Sequence, residues 1–163
     1  MPRLRALVPW LLLLSLGLCA ACEPVDRRPG TWLSGELAAT PASWDFTEDH
    51  QEIFVETTTW YGVPHSVTTV VAARGDTLYV PSIYDQPADF PGSKRWNKNI
   101  ASDPAVRLKI GDSIYELRAR PVTDEGEFQN GFAALAGKYD FWKQGLEDPE
   151  RRPPFVIIAM EPR

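Results

Sequence analysis

Cysteine is almost absent from this chain: the two that occur, Cys19 and Cys22, both fall at its N-terminal end. Past Cys22 there is no thiol. That excludes an intrachain disulfide, a cysteine nucleophile and a thiolate metal site from everything downstream, so the fold must hold by packing alone. Histidine is nearly as scarce. His50 sits among Glu48, Asp49 and Glu52, one imidazole among flexible acids, which is ordinary loop chemistry and not a metal centre. Cations are short too: 17 Lys and Arg against 22 Asp and Glu leave a formal charge of −5. That balance argues against nucleic acid as a partner and against electrostatic binding to anionic lipid. The apolar run Ala6 to Leu18, interrupted by Pro9, Ser15 and Gly17, falls short of the roughly 20 residues that a membrane-spanning helix needs.

That run is still informative. Arg3 and Arg5 precede it with no acid, and it closes on Cys19-Ala20-Ala21-Cys22. A basic start, an apolar middle and a small-residue end are the three parts of a secretory signal. The small residues ahead of Cys22 resemble a bacterial lipoprotein signal, with Cys19 standing where that pattern usually has Leu. The resemblance implies residues 1–21 as signal peptide, cleavage before Cys22, and a diacylglyceryl group on Cys22. The protein would then be exported and anchored to a cell-envelope membrane; an ordinary secretion signal cleaved nearby is the alternative. Arg3 and Arg5 are separated by Leu4, so no twin-arginine pair points to export of a folded, cofactor-loaded chain. Cleavage would leave 15 Lys and Arg against 22 Asp and Glu, a formal charge of −7. Residues 22–29 read as the lipidated cysteine and a short polar, proline-bearing tether, and residues 30–163 as one domain.

Within that domain the signals are mainly β. Thr31 to Leu37 reads as an opening strand or irregular cover. Glu52 to Thr59 and Ser66 to Ala72 are rich in β-branched residues and flank a turn at Gly62-Val63-Pro64, which predicts a hairpin. Arg74-Gly75-Asp76 turns into Thr77-Leu78-Tyr79-Val80. Val106 to Ile110 alternates with period two and pairs back through Gly111-Asp112 with Ile114 to Arg120. The period then changes. Phe128, Phe132, Leu135 and Tyr139 recur at helical spacing behind an acidic start, and Phe155 to Met160 closes the chain as a buried strand. Six or seven strands with two short helices predict a mainly β (α+β) antiparallel split barrel.

Between the two apparent hairpins lies Gly92-Ser93-Lys94-Arg95-Trp96-Asn97-Lys98-Asn99, followed by Ile100-Ala101-Ser102-Asp103-Pro104-Ala105-Val106. A helix start has unpaired N–H groups that suit an anion, and adjacent Ser, Lys and Arg would complete a phosphate cradle. Together with Leu78-Tyr79-Val80, this order of motifs resembles the FMN-binding split-barrel (pyridoxamine 5'-phosphate oxidase-like) superfamily. Its Trp-Asn-Lys-Asn portion is similar to the branch containing deazaflavin-dependent nitroreductases. The resemblance implies a flavin-type cofactor, FMN or deazaflavin, with its phosphate held by Ser93, Lys94 and Arg95. His65, Ser66, Val67 and Thr68 would line the ring, with Trp96 beside it. It also implies a homodimer with cofactor at the interface, and an oxidoreductase whose hydride chemistry belongs to the flavin.

Blander readings stand beside these. Lys94 and Arg95 are equally readable as solvated surface cations, Trp96 and Trp142 as packing residues, and His65 as a structural or exposed histidine. Two other functions share the same barrel: a module for heme or another aromatic ligand that uses His65, and a non-catalytic envelope lipoprotein whose surface serves protein contacts. Fold does not choose among them. No residue is singled out as catalytic.

Overall fold

The computed structural model describes residues 30–84 and 89–163. The signal segment, Cys22 and the tether therefore lie outside the described residues, as does the middle of the Tyr84 to Phe90 loop. Eight strands form one sheet: β1 (Glu36–Ala38), β2 (Ile53–Thr58), β3 (Pro64–Thr69), β4 (Ala72–Arg74), β5 (Thr77–Ile83), β6 (Ala105–Ile110), β7 (Ser113–Pro121) and β8 (Phe155–Pro162). Their order is β3-β2-β6-β7-β8-β5-β4, antiparallel throughout, and β1 adds a short parallel pairing to β7 with Glu36 opposite Ser113. Three helices complete the fold: α1 (Arg95–Ser102), α2 (Glu125–Lys138) and α3 (Asp140–Glu147). None of the described helices is long and apolar enough to cross a membrane.

Alternation explains how one sheet serves two cores. On β5, Leu78 and Val80 face the barrel interior with Ile53, Val55, Leu108, Leu117, Ile158 and Met160. Tyr79 faces the other way, with Ile157 and Ala159 of β8, and packs under Phe132, Leu135 and Trp142 of α2 and α3. Successive side chains on a strand point to opposite faces, so a strand covered on both sides reads as a continuous apolar run. That is why Phe155 to Met160 carries no polar alternation. Arg120 on β7 ties the outer layer to the sheet, donating to Glu127 of α2 at 2.8 and 3.0 Å and to Glu161 of β8 at 2.6 Å.

The split-barrel architecture agrees with the sequence pattern, with differences in detail. The β-branched stretch from Ser66 to Ala72 is not one strand: β3 ends at Thr69 and β4 begins at Ala72, at the opposite end of the sheet order. The chain changes edges there because the barrel is open between β3 and β5, and Thr69 Oγ1 bridges the split by donating to the Pro81 carbonyl at 3.3 Å. Among the described residues the helices number three and not two, because the helical stretch breaks at Tyr139, whose backbone is extended (φ −127°, ψ 126°). The Tyr139 hydroxyl bonds Val71 and Gln51, and Lys138 Nζ donates to the carbonyls of Thr47, His50 and Val71. These anchors pull the chain out of helical register, and α3 restarts with Trp142 and Gly145 turned inward.

The segment ahead of β1 is held by a partly buried ion pair. Glu56 on β2 lies 3.0 Å from Arg107 on β6, directly opposite it in the register, and also accepts the Leu33 N–H. Arg107 reaches the Leu33 carbonyl as well, at 3.4 Å, and the Leu33 side chain is buried.

Candidate cofactor site

The loop from β5 into α1 is shaped by a close contact. Gly92 has φ +56°, and a Cβ there would fall 2.3 Å from Cδ1 of the buried Tyr84 ring. Only a residue without a side chain lets the backbone lie against that ring. Burial, and secondarily the Asp89 carboxylate, push the Tyr84 phenol up to about 12. Two residues on, Lys94 caps α1 with extended backbone (φ −68°, ψ 128°), and the helix begins at Arg95. Ser93 therefore stands one residue outside the N-cap position.

A helix as short as α1 needs tertiary support. It gets some from below: Asn99 Nδ2 donates to Thr57 Oγ1 on β2 at 2.9 Å, and Ser82 Oγ on β5 donates to Asn97 Oδ1 at 2.8 Å. Trp96 and Ile100 pack into the barrel core.

The start of α1 closes one wall of a cleft of about 510 Å³ at the barrel's split. The opposing walls are Val67 to Thr69 on β3 with Val70 just after it, Pro81 to Ile83 on β5, and Tyr139, Phe141 and Trp142 at the break between α2 and α3. Phe141 and Trp142 meet edge to face at 5.3 Å, with Phe141 53% exposed at the rim. Among the described residues, Lys94 is the cation in this lining. Tyr139 turns its hydroxyl to the Val71 backbone, donating to the carbonyl at 2.9 Å and accepting the amide at 3.3 Å. Burial raises the Tyr139 phenol and lowers the neighbouring Lys138 ammonium. Thr68 Oγ1 is buried with no hydrogen-bond partner among the described residues.

The residues singled out from sequence are thus distributed. Val67, Thr68, Lys94 and Trp96 line this cleft. His65 and Arg95 line another, of about 290 Å³, with Thr59, Trp60, Tyr61, Lys98 and Asn99. Ser66 is buried on β3 and exchanges backbone hydrogen bonds with Gly30, while Ser93 is exposed and lines neither cleft. The sequence pattern overlooked Pro81, Ser82, Ile83 and Phe141. No local signal marks them, because they come together only when β5 and α3 meet across the split.

A sheet of this order, with a helix crossing from β5 to β6, is a split barrel, and solved structures of that fold resemble it. Three solved structures illustrate the likeness. A Listeria innocua protein assigned as a pyridoxamine 5'-phosphate oxidase aligns at TM-score 0.50 and 20% identity, over 72% of this chain and 87% of its own. The conserved hypothetical protein Rv2991 from Mycobacterium tuberculosis aligns at TM-score 0.55 and 16% identity, over 73% and 77%. HutZ, the heme storage protein from Vibrio cholerae, aligns at 0.56 and 12%, over 73% and 86%. No family model and no curated protein matches the sequence.

Proposed function

We propose that this chain is an exported, lipid-anchored split-barrel protein that binds a flavin-type cofactor, FMN or deazaflavin, in the cleft at the β3/β5 split and works through it as an oxidoreductase. The observation that carries the reading is the convergence of Val67, Thr68, Lys94 and Trp96, chosen from distant parts of the sequence, on one cleft. Its volume of about 510 Å³ falls within the range of small-molecule sites, about 300–1,000 Å³. The lining suits a planar, phosphorylated ligand. Lys94 offers a charge-assisted donor for a phosphate, Trp142 and Phe141 offer aromatic surface to a ring, and the unpartnered Thr68 hydroxyl fits a polar ring edge. A bound flavin supplies the hydride chemistry. The protein's part is to orient it, keep water from its apolar face and hold its phosphate. A homodimer belongs to the proposal, with the exposed Phe141 at the cleft rim available for burial against a second copy.

The test is a fluorescence titration of the mature protein with FMN, deazaflavin and hemin in parallel. Losing one charge-assisted hydrogen bond costs about 1.5–3 kcal/mol, so Lys94→Ala is expected to weaken FMN or deazaflavin binding about 10- to 150-fold. Arg95→Ala, which removes a side chain from the other cleft, is expected to leave it nearly unchanged. Equal affinity of Lys94→Ala and wild type would remove the phosphate assignment. A second reading, heme or another aromatic ring at His65, is favoured by that imidazole's place beside Trp60 and Tyr61. If hemin binds and His65→Ala keeps an unaltered Soret band, His65 is not the axial ligand. If no ring binds, the barrel is a non-catalytic scaffold. Mass spectrometry of the mature N-terminus tests the diacylglyceryl group on Cys22.

A further inference from the structure

The turn between β2 and β3 carries aromatic surface that the barrel does not use. Trp60 is 91% exposed, Tyr61 53% and Val63 42%, and the two rings meet edge to face at 5.2 Å. The turn is nonetheless well tied. Thr59 Oγ1 donates to the Val63 carbonyl at 2.6 Å and accepts the Val63 amide at 3.1 Å, and the Gly62 amide donates to the Thr59 carbonyl at 2.9 Å. A rigid, exposed aromatic tip in water calls for an occupant.

Two observations identify it. The first is charge. Arg95 and Lys98, three apart on one face of α1, line the same cleft as Trp60 and Tyr61, and neither is ion-paired among the described residues. The nearby Asp103 directs Oδ1 to the Ala105 amide at 3.0 Å. Thus a protein with a net negative charge places two cations beside its most exposed aromatics. The second is where the described chain begins. Gly30 forms an antiparallel bridge with Ser66 on β3, two residues from the Pro64 end that leads into the tip. Those two residues span about 7 Å. The eight peptide steps from Cys22 to Gly30 reach at most about 26–29 Å. A lipid on Cys22 is therefore tethered within easy reach of the tip's end of the barrel.

We infer that the β2–β3 tip is a membrane-surface contact: Trp60, Tyr61 and Val63 enter the interfacial layer while Arg95 and Lys98 meet anionic headgroups. Aromatic side chains with a polar edge settle at that depth, and a few cations near an anionic surface strengthen the contact. The inference rests on the reading of Cys22 as the anchor, since the tether argument needs a lipid there. Docking by this tip would also fix which way the barrel and its cofactor cleft face above the bilayer.

The test uses the mature protein purified from membranes and reconstituted in phosphatidylethanolamine and phosphatidylglycerol vesicles with brominated acyl chains. Bromine quenches tryptophans that reach the acyl boundary. The expected result is quenching in the wild type that disappears in Trp60→Phe, a variant that keeps an aromatic ring at the tip and touches neither core cluster. Arg95→Glu with Lys98→Glu should reduce the quenching, and removing phosphatidylglycerol should do the same. In Trp60→Ala with Tyr61→Ala, the fraction of barrels docked should fall by roughly tenfold. Emission from Trp60 that bromolipid leaves untouched overturns the inference. So does a tip variant that changes the oligomeric state without any quenching, because the occupant is then a second copy. The mass of the mature N-terminus separates the two readings. An unlipidated chain whose Trp60 is still quenched leaves the membrane contact standing and removes the anchor. A lipidated chain without quenching does the reverse.

Discussion

Gly92→Ala puts a defined load on the loop that carries Lys94. Gly92 sits at φ +56° and a methyl group there would lie 2.3 and 2.6 Å from Cδ1 and Cε1 of Tyr84. Carbon atoms prefer about 3.5–4.0 Å, so the overlap exceeds roughly 1 Å at both atoms. The Tyr84 ring is only 5% exposed and has little room to retreat. Left-handed backbone costs an alanine about 1–2 kcal/mol and overpacking a further 1–3, which predicts about 2–5 kcal/mol in total. Gly75 supplies the control. Its φ is +60°, and a Cβ there meets nothing within 4 Å, so Gly75→Ala carries the backbone term without the clash. Urea denaturation of both variants isolates the steric part, expected at about 1–3 kcal/mol. Adding Tyr84→Ala removes the ring and should bring the cost of Gly92→Ala down to that of Gly75→Ala. Equal destabilisation of the two glycine variants in the parent protein would refute the close-contact account. Lys94 follows two residues after Gly92, so the folded fraction of Gly92→Ala is also expected to bind FMN more weakly in the titration described above.

The Tyr84 phenol, pushed up to about 12 in the folded state against an ordinary 10.0, holds its proton more tightly folded than unfolded. Its stabilisation is complete below pH 10 and is lost as pH rises toward 12, about 2–3 kcal/mol in all. Tyr84→Phe should flatten that limb of a stability-versus-pH curve measured by denaturant melts; Tyr79 and Tyr139, also raised by burial, leave a residual slope of the same sign. Glu56→Ala strands the partly buried Arg107 and the Leu33 amide, and is expected to cost about 3 kcal/mol by urea denaturation, at the low end for breaking a buried pair because Arg107 keeps some solvent contact. Lys138→Met withdraws a donor from the carbonyls of Thr47, His50 and Val71 and should cost about 1–3 kcal/mol, with amide exchange rising first around His50 and Val71. Phe132, 1% exposed between the sheet and α3, should cost about 3–5 kcal/mol as Phe132→Ala in the same denaturation assay.

Much of the fold was legible because strand and turn signals are local. The hairpin turn at Gly62, the turn at Gly75, the pairing of Val106 to Ile110 with Ile114 to Arg120 and the final buried strand all appear where the side-chain period and the turn residues place them. The division of Ser66 to Ala72 between β3 and β4 was not legible, since β propensity is the same on either side of Val70 and only sheet closure separates the two edges. The helix break at Tyr139 was hidden for a related reason. Phe128, Phe132, Leu135 and Tyr139 keep helical spacing, and the hydrogen bonds that end α2 come from Gln51 and Val71, far away in sequence.

For the candidate site the boundary falls in the same place. Lys94, Trp96, Val67 and Thr68 could be singled out because a cationic turn before a short helix and a β-branched hairpin are written in consecutive residues. Whether neighbours in sequence share a cleft is another matter. On a strand and at a helix start, successive side chains point in different directions. Lys94 therefore lines the cleft at the barrel's split while Arg95 lines the one beside Trp60. By itself the sequence determined the strands, their turns and the chemical types available. The tertiary structure alone decided which of those groups meet, because Pro81 to Ile83 and Phe141 reach Lys94 only through the closure of β3 toward β5 and the bend at Tyr139. Such contacts depend on long-range packing, and no pattern of consecutive residues encodes them.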